Sequence, residues 1–212
     1  MSDRARFPHF RGTAFARCKL PALSFALAMV LRPAIGQKRS DGTPAESGVA
    51  RAVRVEGTIK APVCEVWRVW TTSEGAEEFF AQKAKIGLRI GGPYEIQFDP
   101  NDETSGTKGL KILSYSPERM ISFQWNAPPE MPEVRKGGTW VVVEMRPLGR
   151  DRTRVTVTHL GWKQGAEWDQ AFVHFQQGWG QLMKRLERRF TDGPIDWNKE
   201  QMMYQKTEAS KQ

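Results

Sequence analysis

The strongest constraint on this chain lies near its C-terminus. Trp168, Phe172, Phe175, Trp179, Leu182, Met183, Leu186 and Phe190 follow one another at steps of 4, 3, 4, 3, 1, 3 and 4, the spacing that gathers apolar side chains on one face of an α-helix. Gln170, Gln176, Lys184, Arg185 and Arg188 fall mostly outside that face. Gly193 and Pro194 provide a stop, and Lys184, Arg185, Arg188 and Arg189 suit the negative end of the helix dipole. At about 1.5–3 kcal/mol per fully buried large side chain, the stripe represents gross stabilisation on the order of 10–20 kcal/mol. So long an apolar face has to be received by another layer.

The candidates for that layer are strands. Val53, Val55 and Ile59 alternate with Arg54, Glu56, Thr58 and Lys60, with Gly57 as a candidate bulge. Pro62 opens a short helix carrying Val63, Val66, Trp67 and Trp70 to about Thr71, and Ser73 is placed to cap a second short helix that ends at Phe79 and Phe80. Ile86, Leu88 and Ile90 alternate up to the turn Gly91-Gly92-Pro93, and Tyr94, Ile96 and Phe98 alternate away from it. Further strands are predicted around Leu110, Ile112 and Tyr115, through Ile121, Phe123 and Trp125, over 139–145 and over 153–159. Asn126-Ala127-Pro128-Pro129 cannot continue a central strand, so 126–138 reads as a loop. The predicted fold is α+β: a curved antiparallel sheet of about seven strands gripping the long C-terminal helix, with two short helices after the first strand.

Composition agrees with one folded domain carrying extensions. Of 212 residues, 39% are hydrophobic and 26% charged, too apolar for a disordered chain. Eight tryptophans and eleven phenylalanines supply a core. The net charge of +8 is uneven: residues 1–36 hold six basic residues against one acidic, while the remainder holds 26 against 23. The basic excess is therefore not spread over the domain as a nucleic-acid footprint would be, and no nucleic-acid partner is expected.

The basic first stretch ends at Arg17-Cys18-Lys19 and is followed by twelve uncharged residues, 20–31, then Arg32-Pro33-Ala34-Ile35-Gly36. A charged segment, an apolar run and small residues before a break are the parts of a secretory signal. Twelve helical residues rise about 18 Å, short of a bilayer core of about 30 Å, so no stable membrane span is expected. The sequence thus divides into a signal peptide (1–36), a linker (37–50), a domain (51–192) and a polar tail (193–212). The predicted location is periplasmic or secreted; a start codon placed too far upstream would make it cytoplasmic. Cleavage would remove Cys18 and leave Cys64, a pattern compatible with an oxidising compartment.

Element order and local sequence together resemble the START-like, or SRPBCC, helix-grip superfamily, and within it the family named for the activator of heat-shock protein 90 ATPase. The resemblance rests on Ala61-Pro62 through Val66-Trp67-Arg68, on Arg89-Ile90-Gly91-Gly92-Pro93-Tyr94, on Ser122-Phe123-Gln124-Trp125, on the run from Thr153 to His159, and on Gly178-Trp179 leading to Leu182 and Leu186. It covers about 53–190. Where the family often has tryptophan near the end of the second helix, this chain has Phe79-Phe80, a departure that bears on the pocket mouth. The resemblance implies a cavity between long helix and sheet, used across the superfamily for lipids, sterols, polyketides and other apolar ligands.

Chemistry-bearing residues are sparse. His159 is in phase with Val155 and Val157 and is the candidate general base; a hydrogen-bonded histidine at a strand end is the plainer reading. His174 flanks the helix stripe, Cys64 sits in a helix N-terminal turn without a defined base, and Glu167 with Asp169 suits a helix start. Gly91-Gly92 precedes no helix and is not a phosphate loop. Two cysteines and three histidines in this arrangement give no metal site, and no cofactor is expected. Trp67, Phe80, Trp125, Trp140, Trp162 and Trp179 are the candidate ligand-binding residues, with core packing as the alternative for each.

The expected function is therefore binding of an apolar or aromatic small molecule without catalysis. A cyclase- or hydrolase-type enzyme using His159 is the alternative, and a chaperone-activating protein-interaction module is the weaker one, its protein partner unspecified. If 1–36 is a signal peptide, N-terminal sequencing of protein from its native host will begin at or near Gln37. Cytoplasmic material beginning at Met1 or Ser2 would contradict it.

Overall fold

The computed structural model describes residues 51–102 and 104–200. The proposed signal peptide, the proposed linker and the last twelve residues of the proposed tail lie outside the described residues. In chain order the elements are β1 (Val53–Ile59), α1 (Val63–Thr71), α2 (Ser73–Glu77), β2 (Lys83–Ile86), β3 (Tyr94–Gln97), β4 (Ile112–Ser116), β5 (Met120–Trp125), α3 (Pro132–Gly137), β6 (Thr139–Pro147), β7 (Thr153–Leu160) and α4 (Ala166–Asp192).

The expected α+β plan is present: seven strands, two short helices after the first of them, and a long helix near the end. Five strands form one antiparallel sheet in the order β1-β7-β6-β5-β4, and β2 pairs with β3. The two-stranded piece joins the larger one through a bridge between Pro93 and Lys111 and through the Tyr94 amide, which donates to the Leu110 carbonyl at 2.8 Å. Alternation along β6 and β7 sends Val141, Val143, Val155, Val157 and His159 into the core.

Local chemistry explains the short helices. Pro62 occupies the N-cap of α1, and Val66, Val69 and Trp70 bury its inner face. Thr72, rather than Ser73, caps α2: its hydroxyl accepts from the Gly75 amide at 3.0 Å, while Ser73 Oγ accepts from the Ile86 amide. Leu88 and Ile90 depart from the expected strand. The strand stops at Ile86, because Arg89 and Gly92 spend their amides on the carbonyls of Gly87 and Arg89 within a tight turn. Both side chains are exposed, Ile90 at 72%. A Cβ at Gly92 would lie 2.1 Å from the Gly87 carbonyl oxygen, so the turn closes only around glycine.

Gly57 is not a bulge. The register runs through it unbroken, pairing Gly57 with Val155. Its small size serves packing instead, since a Cβ there would fall 2.6 Å from Met183 Cγ and Sδ on α4. The helix thereby crosses β1 closely, and Trp168, Ala171, Phe175, Trp179, Leu182, Met183 and Leu186 are buried along it. Phe172 and Phe190, at the margins of the stripe, are half-buried.

The far end of α4 is tied down by charge. Glu78 accepts from Arg68 Nη2 at 3.0 Å and from Arg189 Nε at 2.5 Å, so one carboxylate joins α1, the end of α2 and α4. Burial pushes the Glu78 carboxyl up, but hydrogen bonds from Arg68 and Arg189 outweigh it and hold it below the usual range. After Gly193 (φ 99°) the chain folds back, with the Ile195 amide on the Glu78 carbonyl and the Trp197 indole on that of Glu77. The first residues of the expected polar tail are thus hydrogen-bonded to the domain.

If α4 is the keystone of the core, Trp179→Ala, emptying a site only 3% exposed, will lower stability by about 3–5 kcal/mol. Gln177→Ala, at an exposed position, will change it by less than about 0.5 kcal/mol. Urea denaturation measures both, and equal midpoints with equal slopes would contradict this packing.

Candidate functional site

Beside the contact of Trp179 on α4 with Trp125 at the end of β5, a cavity of about 350 Å³ remains. Phe175, Trp179 and Leu182 line it from the helix, Trp125 from the sheet and Phe80 from the segment after α2. Phe98, Asp102, residues 104–107 and residues 126–130, with Arg135 of α3, complete the mouth. The aromatic wall is close-knit: Phe80 lies nearly parallel to Trp125 with centroids 5.7 Å apart, and Trp179 approaches Trp125 at 5.1 Å and Phe80 at 6.0 Å. Gly178 also lines the space, and a Cβ there would meet nothing within 4 Å. Glycine inside a helix costs about 1 kcal/mol relative to alanine, so this exposed rim position gives up helix stability and adds no side chain at the mouth.

Three of the six aromatic candidates, Phe80, Trp125 and Trp179, therefore surround one cavity, and three lie elsewhere. Trp140 alternates out of phase with Val141 and Val143, is 42% exposed, and lies over Gly161. Trp67 is half-buried on α1, away from the lining. Trp162 packs its ring against His159 and Phe172 and donates its indole N–H to the His159 carbonyl at 2.8 Å, behind the cavity wall. The rim residues Asp102, Asn126 and Arg135 were not expected. They come from loops and from α3, a helix within the stretch read as loop, whose six residues are too few to show a period.

His159 is fully buried and has both ring nitrogens engaged. Nδ1 lies 3.0 Å from Trp179 Nε1, and Nε2 lies 2.7 Å from Thr139 Oγ1. An indole N–H can only donate, so Nδ1 is the acceptor and the proton of the neutral ring resides on Nε2. Thr139 Oγ1 in turn lies 3.3 Å from the Trp125 carbonyl. The chain Trp179, His159, Thr139, Trp125 connects α4 through β7 and β6 to β5, and its two ends are cavity walls. Burial lowers the His159 pKa to about 3. His159 does not line the cavity, and neither nitrogen has a lone pair directed to a ligand there. The proposed general base is instead a positioning residue for Trp179.

The other candidates are also accounted for. His174 is exposed at the cavity rim, with its ring edge-on to Phe175 at 5.1 Å. Cys64 is half-buried on α1, outside the lining. Glu167 accepts from the Val134 amide at 2.9 Å and so fixes α3, while Asp169 pairs with Arg51; they do not act as a carboxylate pair. Among the described residues no group of three or more His, Cys, Asp or Glu side chains could hold a metal ion, and no helix is long and apolar enough to cross a membrane.

Comparison with known proteins places this geometry. The family model described as activator of Hsp90 ATPase homolog 1-like protein matches residues 60–191. Among solved structures, protein MLL2253 from Mesorhizobium loti is similar at a TM-score of 0.56 and 21% identity, covering 68% of this chain and 100% of that one. The Aha1 dimer from Colwellia psychrerythraea gives 0.53 and 18%, covering 68% and 98%. DynU16, a protein of the dynemicin biosynthetic locus, gives 0.51 and 19%, covering 68% of this chain and 48% of that one. At these identities the structures show a common fold. No curated protein matches.

The buried histidine has a consequence for pH. An unfolded chain protonates its histidine near 6.5, whereas folded His159 does so only at about 3. Between those values the unfolded state binds more protons, so stability falls as pH falls, by up to about 1.4 kcal/mol per pH unit from this group. Urea melts at pH 6.5, 5.5 and 4.5 will show a steeper loss for the wild type than for His159→Gln. Parallel profiles would contradict a neutral, buried His159.

Proposed function

The chain belongs to the activator of Hsp90 ATPase homolog 1-like family, and on that premise we propose that it binds an apolar or aromatic small molecule in the cavity beneath α4 without converting it. The observation that carries this reading is the cavity itself: about 350 Å³, walled by Phe80, Trp125 and Trp179, with Gly178 on its rim. Ligand sites of this size are mostly apolar with a few polar groups at fixed places, and the aromatic cluster in the wall gives a flat ligand apolar surface to pack against. The engagement of both His159 nitrogens argues against a reaction that needs that residue as a base. Export, read from residues 1–36, belongs to the same proposal and would bring the domain to ligands outside the cytoplasm.

Native mass spectrometry of protein purified without detergent will detect a bound compound. Extracted and added back to stripped protein, that compound will shift tryptophan emission and be recovered unchanged. Gly178→Leu, which fills open space and favours the helix, will abolish binding without lowering stability. Conversion of the compound, or undiminished binding by the Gly178→Leu protein, would contradict the proposal.

A further inference from the structure

Two arginines reach the cavity, and they are differently occupied. Arg185 Nε donates to Glu200 Oε1 at 3.0 Å, and its guanidinium lies over the Trp197 ring at 5.6 Å. Arg135 donates Nη1 to the Ala127 carbonyl at 2.5 Å and Nη2 to the Thr104 carbonyl at 3.4 Å, and it forms no ion pair with any described residue. Backbone carbonyls orient a guanidinium without cancelling its charge. Arg135 therefore presents a positive charge, and N–H donors beyond the two in use, at the edge of an aromatic-walled space.

Its position is held from behind. Val134 is fully buried, and its amide is fixed by the Glu167 carboxylate of α4 at 2.9 Å. The neighbouring carboxylates do not pair with it. Asp102 Oδ1 accepts from the amide and hydroxyl of Thr104 at 2.8 and 2.7 Å, keeps its charge on its own loop, and is exposed, where solvent screens it. Glu130 is exposed, where water and salt screen it. A fixed guanidinium next to low-dielectric walls is suited to a planar carboxylate, which it can meet with two parallel hydrogen bonds.

We propose that the cavity takes an amphipathic aromatic acid, its ring system against Phe80, Trp125 and Trp179 and its carboxylate on Arg135. This rests on the binding reading above and adds the charge of the ligand and the residue that selects it. The Arg135 carbonyl contacts then have a second effect, holding Thr104 and Ala127 beside the bound acid.

The test compares two probes of matched shape, 2-naphthoate and 2-naphthamide, by calorimetric titration at pH 7.5 and low salt. Wild-type protein will bind the acid about tenfold more tightly than the amide, a ratio within reach of one charge-assisted contact. Arg135→Gln will lose that preference while binding the amide within about twofold of wild type, and Arg135→Lys will keep part of it. Equal affinities in the wild type, or a preference that survives in Arg135→Gln, would overturn the proposal and leave apolar binding standing. Equal weakening of both probes in Arg135→Gln would also overturn it, making Arg135 a brace for the loops. Failure of the wild type to bind either probe would overturn the acid proposal, and the compound found by native mass spectrometry decides separately whether the cavity binds at all.

Discussion

The hydrogen bond from the Trp179 indole to His159 Nδ1 is the contact on which the site depends. It is made in the core, where a lost partner would leave a buried polar group unsatisfied at about 1–3 kcal/mol. It also has a direction: because the indole can only donate, it fixes the histidine tautomer, and the histidine can then only donate to Thr139. A bulky aromatic side chain facing a cavity would otherwise have room to turn into it. The histidine holds the indole back against the sheet and thereby keeps the space open.

The two halves of α4 have different tasks. Toward its C-terminal end the helix is fastened, by Met183 lying over Gly57, by Leu186 in the core, and by Arg189 on Glu78. Across its middle, from Phe175 to Leu182, it spans the cavity and omits a side chain at Gly178. The firm end compensates for the open one. Void next to buried aromatics forfeits dispersion contacts, and a fold this size tolerates that loss only where neighbouring packing is close.

Much of this was legible in the sequence, for stated physical reasons. The α4 stripe, β1 and β5 to β7 announce themselves by periodicity, because each has one buried face. Phe80, Trp125 and Trp179 were candidates through aromatic character and their place on elements that converge. Leu88 and Ile90 imitate a strand, but hydrogen bonds within a glycine turn remove them from the ladder, and alternation alone cannot reveal that. Trp140 belongs to the outer face of β6, a distinction carried by its phase relative to Val141. The inward phase of His159 was readable, whereas its partner lies twenty residues away on another element and leaves no local trace. Arg135 gave no signal, since a single arginine in a proline-rich stretch resembles any solvated charge.

His159 is a neutral, buried pin between Trp179 and Thr139 rather than a free base. Nitrogen NMR of the imidazole measures this directly in uniformly labelled protein. The expected spectrum has a proton on Nε2, an unprotonated Nδ1 showing the shift of a hydrogen-bond acceptor, and no titration of that ring between pH 8 and 4.5, because burial lowers the histidine pKa to about 3. A proton on Nδ1, or a titration midpoint near the ordinary histidine value of about 6.5, would contradict it.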